Sequence, residues 1–175
     1  MVENGAERMG QVLANLRSYV TTGDAKRAPT NLNQQIEATL KLVEKRANDQ
    51  GVNFEVELCE IPELSLRRGQ MNQVVLNLII NSLDVLKNGG QVTVKSFQDS
   101  DHVYITVADD GTGIPEDVRE AIFDPFFTTK PPGESMGLGL SVTHEMVASY
   151  GGSIELGNPQ SGAEFILTFP VPVAD

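Results

Sequence analysis

The sequence predicts an α/β two-layer sandwich, in which a mixed sheet of about five strands packs against about three helices. After residue 30, three segments carry apolar residues three and four positions apart, as helices do, whereas five shorter segments alternate apolar and polar residues, as strands do. Short polar turns favour antiparallel pairing of several of these strands. With 175 residues, 40% of them hydrophobic, the chain can bury a core without disulfide bonds.

The first segment, from about Ala6 to Val20, is predicted to be a helix with a heptad seam. The seam comprises Met9, Val12, Leu16 and Tyr19. A glycine and a proline then interrupt the helical pattern within residues 21–30, which we interpret as a linker. We therefore expect a helix-and-linker unit at residues 1–30 and a separate globular domain at residues 31–175.

The globular domain begins with a predicted helix that is capped by Asn31 and ends at Gly51. An alternating strand, Val52 to Cys59, and a short extended piece at residues 63–66 follow it. A long helix then runs from about Gly69 to Lys87. The remaining expected elements are strands at residues 91–97 and 102–109, a short helix at 116–122, a helix at 138–150, and closing strands at 152–156 and 163–171.

The charge balance narrows the classes of partner. The chain has 24 acidic residues against 13 Lys and Arg, which gives a formal net charge of −11. Nonspecific binding to nucleic acid or to anionic membranes requires a basic surface, so neither is expected. No apolar run approaches the roughly 20 residues of a membrane-spanning helix. The single cysteine, Cys59, excludes an internal disulfide and a multi-cysteine zinc site, and it favours a reducing, cytoplasmic compartment.

A polar stripe follows one side of the long, otherwise apolar helix at residues 69–87. Its members are spaced four, four and three apart and are therefore neighbours on the helix surface. They are Gln73, Asn77, Asn81 and Asp84. The stripe is consistent with two interpretations: it faces solvent or backbone carbonyls, or it meets a ligand or an oxygen-seeking cation such as Mg²⁺.

Two glycine-rich turns are candidate ligand contacts. Asp109 ends a predicted strand and is followed by Gly111 and Gly113, so an acceptor carboxylate and a close backbone approach occur together. Gly137 and Gly139 precede a helix whose N-terminus favours an anion. Each pattern by itself is weak, because Asp-Gly turns and paired glycines are common.

The segment between the two turns, FDPFFTTKPPGES at residues 123–135, contains three phenylalanines. We interpret it as a mobile cover held by an aromatic plug, with Lys130 available for phosphate. The alternative is a loop packed on its own small core.

Four motifs, taken in order, resemble those of a known family. QVVLNLIINSLD resembles the N box of sensor histidine kinases, DDGTGIP the G1 box, FDPFF the F box and MGLGL the G2 box. Their order and spacing also match, over roughly residues 31–172. The chain is thus similar to the catalytic ATP-binding domain of two-component histidine kinases, in the wider gyrase, Hsp90 and MutL superfamily with its Bergerat fold. The FFTTK segment is particularly similar to kinases of the nitrogen-regulation type.

The resemblance implies ATP and Mg²⁺ as cofactors and assigns a role to each matched position. Asn81 would coordinate Mg²⁺, Asp109 would accept a hydrogen bond from the adenine amino group, and Lys130 would contact the triphosphate. Asn77 and Lys130 are the expected catalytic residues, and Asn81 is the expected metal ligand. The expected ATP-binding residues are Asn77, Asn81, Asp84, Asp109, Gly111, Gly113, Ile114, Phe126, Lys130, Gly137, Leu138, Gly139 and Leu140.

The chain departs from the family pattern at three places. Ser135-Met136 replaces a common Gly-Thr pair before the G2 turn. Hydrolysing relatives carry a Glu where this chain has Asn77, an amide that cannot act as a base, so slow hydrolysis is expected. Neither His102 nor His144 lies on a hairpin like that of the family's phosphoacceptor.

The resemblance also implies partners. The acceptor histidine is expected upstream of this sequence or on a partner in trans, and a response regulator is expected to receive the phosphoryl group. The helix within residues 1–30 resembles the end of the dimerisation hairpin, which suggests a homodimer. A location in the bacterial cytosol, with or without attachment to a membrane sensor, is expected.

Two other functions remain open at this stage. One is an anti-sigma-factor serine kinase of the same superfamily, and the other is a module that binds partners without turnover. The long segment at residues 123–135 and the heptad segment before Pro29 count against the serine kinase. A module without turnover is disfavoured by six intact motif residues: Asn81, Asp109, Gly111, Gly113, Gly137 and Gly139.

Overall fold

A computed structural model describes residues 26–67, 69–159 and 161–171. The predicted helix at residues 6–20 and its heptad seam lie outside these ranges, and the division of the chain at residue 30 stays a prediction. Within the described ranges, no helix combines the length and the apolar character needed to cross a membrane.

Three α-helices are present in the described part of the chain, each within a few residues of its predicted bounds. They are α1 (Leu32–Gln50), α2 (Gln70–Val85) and α3 (Gly139–Ala148). The side chain of Asn31 caps α1 by accepting a hydrogen bond from the Gln34 backbone N–H at 3.1 Å. Gly51 ends the same helix in the left-handed conformation, at φ 71°.

The described ranges contain seven strands, five of which form one mixed sheet. In chain order they are β1 (Arg27–Thr30), β2 (Val52–Leu58), β3 (Leu64–Arg67), β4 (Gly90–Gln98), β5 (His102–Asp109), β6 (Ser153–Leu156) and β7 (Glu164–Pro170). The five-stranded sheet has the order β2-β4-β5-β7-β6, and its β2–β4 pair is parallel while the other pairs are antiparallel. The predicted mixed two-layer architecture is therefore confirmed.

Side-chain alternation along β5 places Asp109, at the C-terminal end of this strand, on the sheet face that packs against α2. Because side chains alternate along a strand, Val103, Ile105, Val107 and Asp109 all project from the same face. The first three are fully buried with the apolar residues of α2, among them Leu78. Asp109 continues this row at the strand end, where the core gives way to the candidate site.

Two elements differ from the sequence prediction. Residues 27–30, predicted as the end of a linker, form β1 and pair antiparallel with β3, with Pro29 opposite Ser65. Proline is tolerated here because a two-stranded sheet has two edges. Arg27 of this strand donates to the Ser149 carbonyl at 2.7 Å, beside the end of α3.

The predicted helix at residues 116–122 is shorter in the structure, where only Glu116–Val118 form a 3₁₀ turn. The chain then continues through hydrogen bonds three residues apart, from Ala121 N to Val118 O and from Asp124 N to Ala121 O. These tight turns replace the α-helical pattern.

Candidate functional site

A cavity of about 200 Å³ opens between α2, the end of β5, the first turn of α3 and the loop at residues 110–138. Eight of the thirteen predicted ATP-binding residues line it: Asn81, Asp109, Gly113, Ile114, Lys130, Gly137, Gly139 and Leu140. The other five, Asn77, Asp84, Gly111, Phe126 and Leu138, are not part of its wall. The fold thus brings all the predicted turns to one cavity.

The Asp109 carboxylate is held rigidly at the wall of this cavity. Its Oδ2 accepts from Ser82 Oγ at 3.0 Å, and its Oδ1 accepts from the backbone N–H groups of Gly111 at 3.0 Å and Ala163 at 3.3 Å. The residue is only 8% exposed. Because an ionised carboxylate has about four acceptor sites, these three donors leave it able to accept one further hydrogen bond from a ligand.

Gly111 therefore supports the site without lining it. Its backbone N–H orients Asp109, and a Cβ at this position would lie 2.5 Å from Val85 Cγ1. Gly162 approaches even more closely, because its Cβ would lie 1.7 Å from the Asp109 carbonyl oxygen. The turn at residues 109–113 and the loop before β7 are packed backbone to backbone.

Most of the apolar cavity wall was not predicted from the motifs, Ile114 and Leu140 being the exceptions. Ile122 and Phe165 are buried and form part of it, next to the carboxylate of Asp109. Alternation along β7 could have identified Phe165, but no motif indicated Ile122. The lining residues that the sequence analysis missed are Val85, Pro115, Val118, Ile122, Phe127, Thr128, Thr129, Ser135, Ala163 and Phe165.

Asn81 is suited to bind a cation together with a ligand. Its side chain lines the cavity and makes no hydrogen bond to any residue in the described ranges. Those ranges also contain no cluster of three or more His, Cys, Asp or Glu side chains able to hold a metal. A Mg²⁺ ion here would take an amide oxygen from the protein and its other ligands from phosphate and water, which fits its usual coordination.

The side chain of Asn77 is hydrogen-bonded to protein partners at both of its polar atoms. Its Nδ2 donates to the Gly139 carbonyl at 3.1 Å and to Thr143 Oγ1 at 3.2 Å, while its Oδ1 accepts from Gln73 Nε2 at 3.0 Å. These bonds connect α2 to the first turn of α3. Asn77 therefore positions the helix whose N-terminus borders the cavity, and does not contribute its own polar atoms to the cavity wall.

The predicted aromatic cover, which we call the lid loop (residues 123–135), uses a different phenylalanine from the one expected. Phe127 lines the cavity, whereas Phe126 is 74% exposed and has a positive φ of 68°. Phe126 N donates to the Gly137 carbonyl at 2.9 Å. A Cβ at Gly137 would lie 2.3 Å from the Phe127 carbonyl oxygen, so the glycine allows the lid loop to cross the G2 turn.

The first turn of α3 leaves its N-terminal N–H groups without a side-chain cap. Leu138 occupies the N-cap position, and its carbonyl accepts from Val142 N at 3.0 Å and from Ser141 Oγ at 3.0 Å. Its side chain packs against the core and is not part of the cavity wall. An uncapped helix N-terminus beside a cavity favours a phosphate group there.

The carboxylate of Asp84 pairs with two cations. Its Oδ1 pairs with Arg46 Nη2 of α1, and its Oδ2 pairs with Lys130 Nζ of the lid loop. Lys130 itself lines the cavity. Asp84 thus contacts the residue predicted to hold phosphate, and is not itself part of the wall.

The groups with shifted pKa values lie at the far end of the β4–β5 hairpin. Hydrogen bonds from the backbone N–H groups of Asp101 and His102, and from the Tyr104 hydroxyl, lower the pKa of Asp99. The same hydrogen bond to Asp99 raises the pKa of Tyr104. On the outer face of β4, the hydrogen bond to Glu57 raises the pKa of Lys95.

Neither histidine lies in the cavity wall. His102 begins β5, and His144 is exposed on α3 with its ring centroid 5.8 Å from that of Phe123.

Comparison with known proteins assigns this arrangement to a family. Residues 67–173 match the family described as histidine kinase-, DNA gyrase B- and HSP90-like ATPases. The chain belongs to this family. The match supports the expected ATP-binding domain, and the relatives and solved structures that follow show that it is of the histidine kinase type.

Curated relatives within this ATPase family include sensor kinases from bacteria. The sensor histidine kinase ZraS of Escherichia coli O157:H7 is 34% identical over 170 residues, which are 96% of this chain and 37% of ZraS. The C4-dicarboxylate transport sensor protein DctB of Rhizobium meliloti (strain 1021) is 33% identical over 165 residues, 91% of this chain and 26% of DctB. The chain spans less than half the length of these relatives.

Solved structures of histidine kinases share the fold. The catalytic domain of histidine kinase ThkA has a TM-score of 0.76 at 30% identity, covering 83% of this chain and 96% of that domain. ThkA in complex with the response regulator protein TrrA gives a TM-score of 0.80 at 26% identity, over 98% of this chain and 49% of that one. The predicted Bergerat ATP-binding fold is confirmed.

Proposed function

We propose that this chain is the catalytic ATP-binding part of a bacterial two-component sensor histidine kinase. It binds ATP together with Mg²⁺ and transfers the γ-phosphoryl group to a histidine on a helix hairpin, either upstream in the same polypeptide or on a partner. The fixed carboxylate of Asp109 carries the proposal, because it shares one cavity with Asn81 and with the uncapped N-terminus of α3. The cavity thus brings together a hydrogen-bond acceptor for the adenine base, an amide that can bind a metal ion, and a helix N-terminus that attracts anions.

Each part of the cavity has one task in this proposal. Asp109 accepts a hydrogen bond from the adenine amino group, and the apolar wall with Phe165 packs against the base. The N-terminus of α3 and Lys130 attract the phosphates in a chain whose net charge of −11 otherwise repels them. Asn81 would hold Mg²⁺, which would supply positive charge to neutralise the phosphates.

The catalytic contribution in this scheme comes from positioning and charge neutralisation, as is usual for phosphoryl transfer. Asn77 cannot activate a water, because an amide is not a base and its polar atoms are bonded to Gln73 and α3. ATP is therefore held for transfer and is hydrolysed slowly.

The partners follow from the same scheme. A response regulator accepts the phosphoryl group from the histidine, and the helix predicted within residues 1–30 contributes to a homodimer. Support comes from ThkA, whose solved complex contains the response regulator protein TrrA. We infer a location on the cytosolic side of the cell, which the proposed use of ATP and the bacterial relatives support.

Nucleotide binding is tested by calorimetric titration of the chain with ATP, with and without Mg²⁺. We expect Asp109→Asn to weaken ATP binding strongly, because the amide places a donor where the adenine amine needs an acceptor. We expect Asn81→Ala to remove most of the Mg²⁺ dependence while adenosine binding is retained. Equal ATP affinity in Asp109→Asn, or an unchanged Mg²⁺ dependence in Asn81→Ala, would contradict these assignments.

Phosphoryl transfer is tested by adding γ-labelled ATP and the purified phosphoacceptor hairpin of a sensor kinase relative. Acid-labile, alkali-stable label on the hairpin is the expected result, because phosphohistidine has this stability. Acid-stable label on serine of an added protein would favour the anti-sigma-type kinase instead. Label on His144 of the chain itself would contradict an acceptor elsewhere.

A further inference from the structure

We propose that Arg46 is a positioning residue for Lys130: acting through the shared carboxylate of Asp84, it sets how readily the lid lysine reaches the nucleotide phosphates. This inference rests on the proposed ATP binding and adds to it a residue of α1, a helix that contributes nothing to the cavity wall.

The three side chains come from three different elements and meet at one carboxylate. Asp84 of α2 accepts from Arg46 through Oδ1 and from Lys130 through Oδ2, so each oxygen has its own cation. The side chain of Asp84 is 26% exposed, and those of Lys130 and Arg46 are 29% and 40% exposed. Asp84 lies between Asn81 and Val85, which both line the cavity.

The charge count of this cluster explains why Arg46 matters for Lys130. Two cations and one anion leave a net charge of +1 at the cavity mouth. Without Arg46, Asp84 and Lys130 would form a neutral pair, in which the whole attraction of the carboxylate acts on the lysine. The arginine reduces that attraction by repelling Lys130 and by sharing the carboxylate. Both effects favour transfer of Lys130 from Asp84 to an incoming phosphate.

The choice of arginine fits this task. Its guanidinium keeps its charge at all physiological pH values and forms directional bonds to a carboxylate oxygen, whereas Lys130 is a compact charge on a flexible stem. Arg46 and Asp84 join two helices of the domain, while Lys130 belongs to a loop. The lysine is therefore the member of the cluster that can change partners at the lowest cost.

A purely structural ion pair would behave differently. Partly exposed ion pairs contribute little to stability, and any contribution would be independent of the nucleotide. The positioning role instead predicts an effect that grows with the number of phosphates on the ligand. It also predicts that the effect disappears when Asp84 no longer carries a charge.

The test is calorimetric titration of the full chain with ATP, ADP and adenosine in the presence of Mg²⁺. For Arg46→Gln we expect the Kd for ATP to rise about fivefold, a size that fits one surface charge at close range. The Kd for ADP should rise less, and that for adenosine should stay unchanged. Arg46→Lys, which keeps the positive charge, should retain most of the ATP affinity of the unsubstituted chain. Thermal unfolding of each variant verifies that it is folded.

Lys45→Gln is the matched control, because it removes the same charge from the neighbouring position of α1. Lys45 forms no ion pair with any residue in the described ranges. We expect it to change the Kd for ATP by less than about 1.5-fold, since an exposed charge outside the cluster is screened by solvent.

The decisive comparison uses Asp84→Asn, alone and combined with Arg46→Gln. Asp84→Asn releases Lys130 and should lower the Kd for ATP, and in that background Arg46→Gln should lose most of its effect. Equal effects of Arg46→Gln in both backgrounds, or equal effects on ATP and adenosine, would overturn the positioning role. ATP binding that Arg46→Gln leaves unchanged would overturn this inference alone, whereas no ATP binding by the unsubstituted chain would also overturn the proposed function.

Discussion

Ser82 Oγ donates a hydrogen bond of 3.0 Å to Asp109 Oδ2, and both residues are buried, at 1% and 8% exposure. The bond connects α2 to the end of β5 at the wall of the nucleotide cavity. Because Ser82 directly follows Asn81 on the same helix, the carboxylate proposed to read the base and the amide proposed to hold the metal are fixed to each other. In the proposed function, recognition of the base and of the phosphates would therefore depend on this hydrogen bond.

Replacing Ser82 with alanine tests the role of its hydrogen bond to Asp109. Asp109 keeps two backbone donors, so we expect the fold to survive but the carboxylate to lose part of its orientation. A lost buried hydrogen bond to a charged group costs about 1.5–3 kcal/mol in the free energy of unfolding. We expect the Kd for ATP to rise roughly fivefold, which corresponds to about 1 kcal/mol of binding free energy. Chemical denaturation and calorimetric titration measure the two effects.

Ser96→Ala provides the control for Ser82→Ala. Ser96 is also fully buried, and it donates to Asn33 Oδ1 at 2.7 Å, away from the cavity wall. This variant should lose stability without a change in ATP affinity. If both serine variants weaken ATP binding equally, the hydrogen bond between Ser82 and Asp109 has no specific role in ATP binding.

The two hydrogen bonds that Asn77 donates to α3 give a second prediction. Asn77→Ala removes the donors to the Gly139 carbonyl and to Thr143, which fix the first turn of α3 against α2. We expect a loss of about 1–3 kcal/mol in the free energy of unfolding. The Kd for ATP should rise more than that for adenosine, because the helix N-terminus meets the phosphates. Gln73→Ala, which removes a hydrogen bond to the same residue, should have a smaller effect on both. Unchanged ATP affinity in Asn77→Ala would show that the hydrogen bonds of Asn77 do not orient the N-terminus of α3 for phosphate binding.

The sequence predicted those parts of the fold that depend on local patterns. Helical spacing located α1 and α2 within two residues, since most of their apolar residues face one core. Strand β1 was missed because it contains Pro29 and a single pairing partner, β3, that lies more than thirty residues away in sequence. A pairing between such distant segments leaves no periodic signal in either of them.

The cavity wall was predictable where a motif position indicates the residue, as for Asp109, Asn81 and Gly137. It was not predictable where side chains choose between neighbours. Asn77 and Asp84 lie on the same predicted stripe as Asn81, yet the fold supplies each with closer protein partners in α3, α1 and the lid loop. Helical spacing places the four residues on one side, but only the packing of adjacent elements decides which of them reach the ligand.

The hairpin turn between β4 and β5 provides a pH prediction. Asp99 has its pKa lowered from an ordinary value of 3.8 by hydrogen bonds from the backbone N–H groups of Asp101 and His102 and from the Tyr104 hydroxyl. A lowered folded-state pKa stabilises the fold above the ordinary value, and this contribution is lost as the pH falls through the folded-state pKa. We expect Asp99→Asn to lower the free energy of unfolding at pH 7, with the difference from the unsubstituted chain shrinking below about pH 3.8.

Denaturant unfolding at several pH values, from neutral to acidic, measures this difference. Asp101→Asn is the matched control in the same turn, where the side chain accepts only from the neighbouring Ser100 hydroxyl. It should show a smaller pH-dependent difference. A constant difference between Asp99→Asn and the unsubstituted chain over the whole range would contradict the role of the Asp99 charge.

Gly162 provides the most severe test of the site. Its Cβ would lie 1.7 Å from the Asp109 carbonyl oxygen, and its φ of 74° is unfavourable for any residue with a side chain. Gly162→Ala must therefore displace the turn that carries Asp109, so we expect ATP binding to fall at least tenfold.

Gly69→Ala separates the two causes, because Gly69 has a similar φ of 81° but no atom within 4 Å of its Cβ position. That variant should carry only the backbone strain, about 1–2 kcal/mol in the free energy of unfolding, and should bind ATP normally. Equal losses of ATP affinity in both variants would mean that strain alone, and not the contact between Gly162 and Asp109, governs the site.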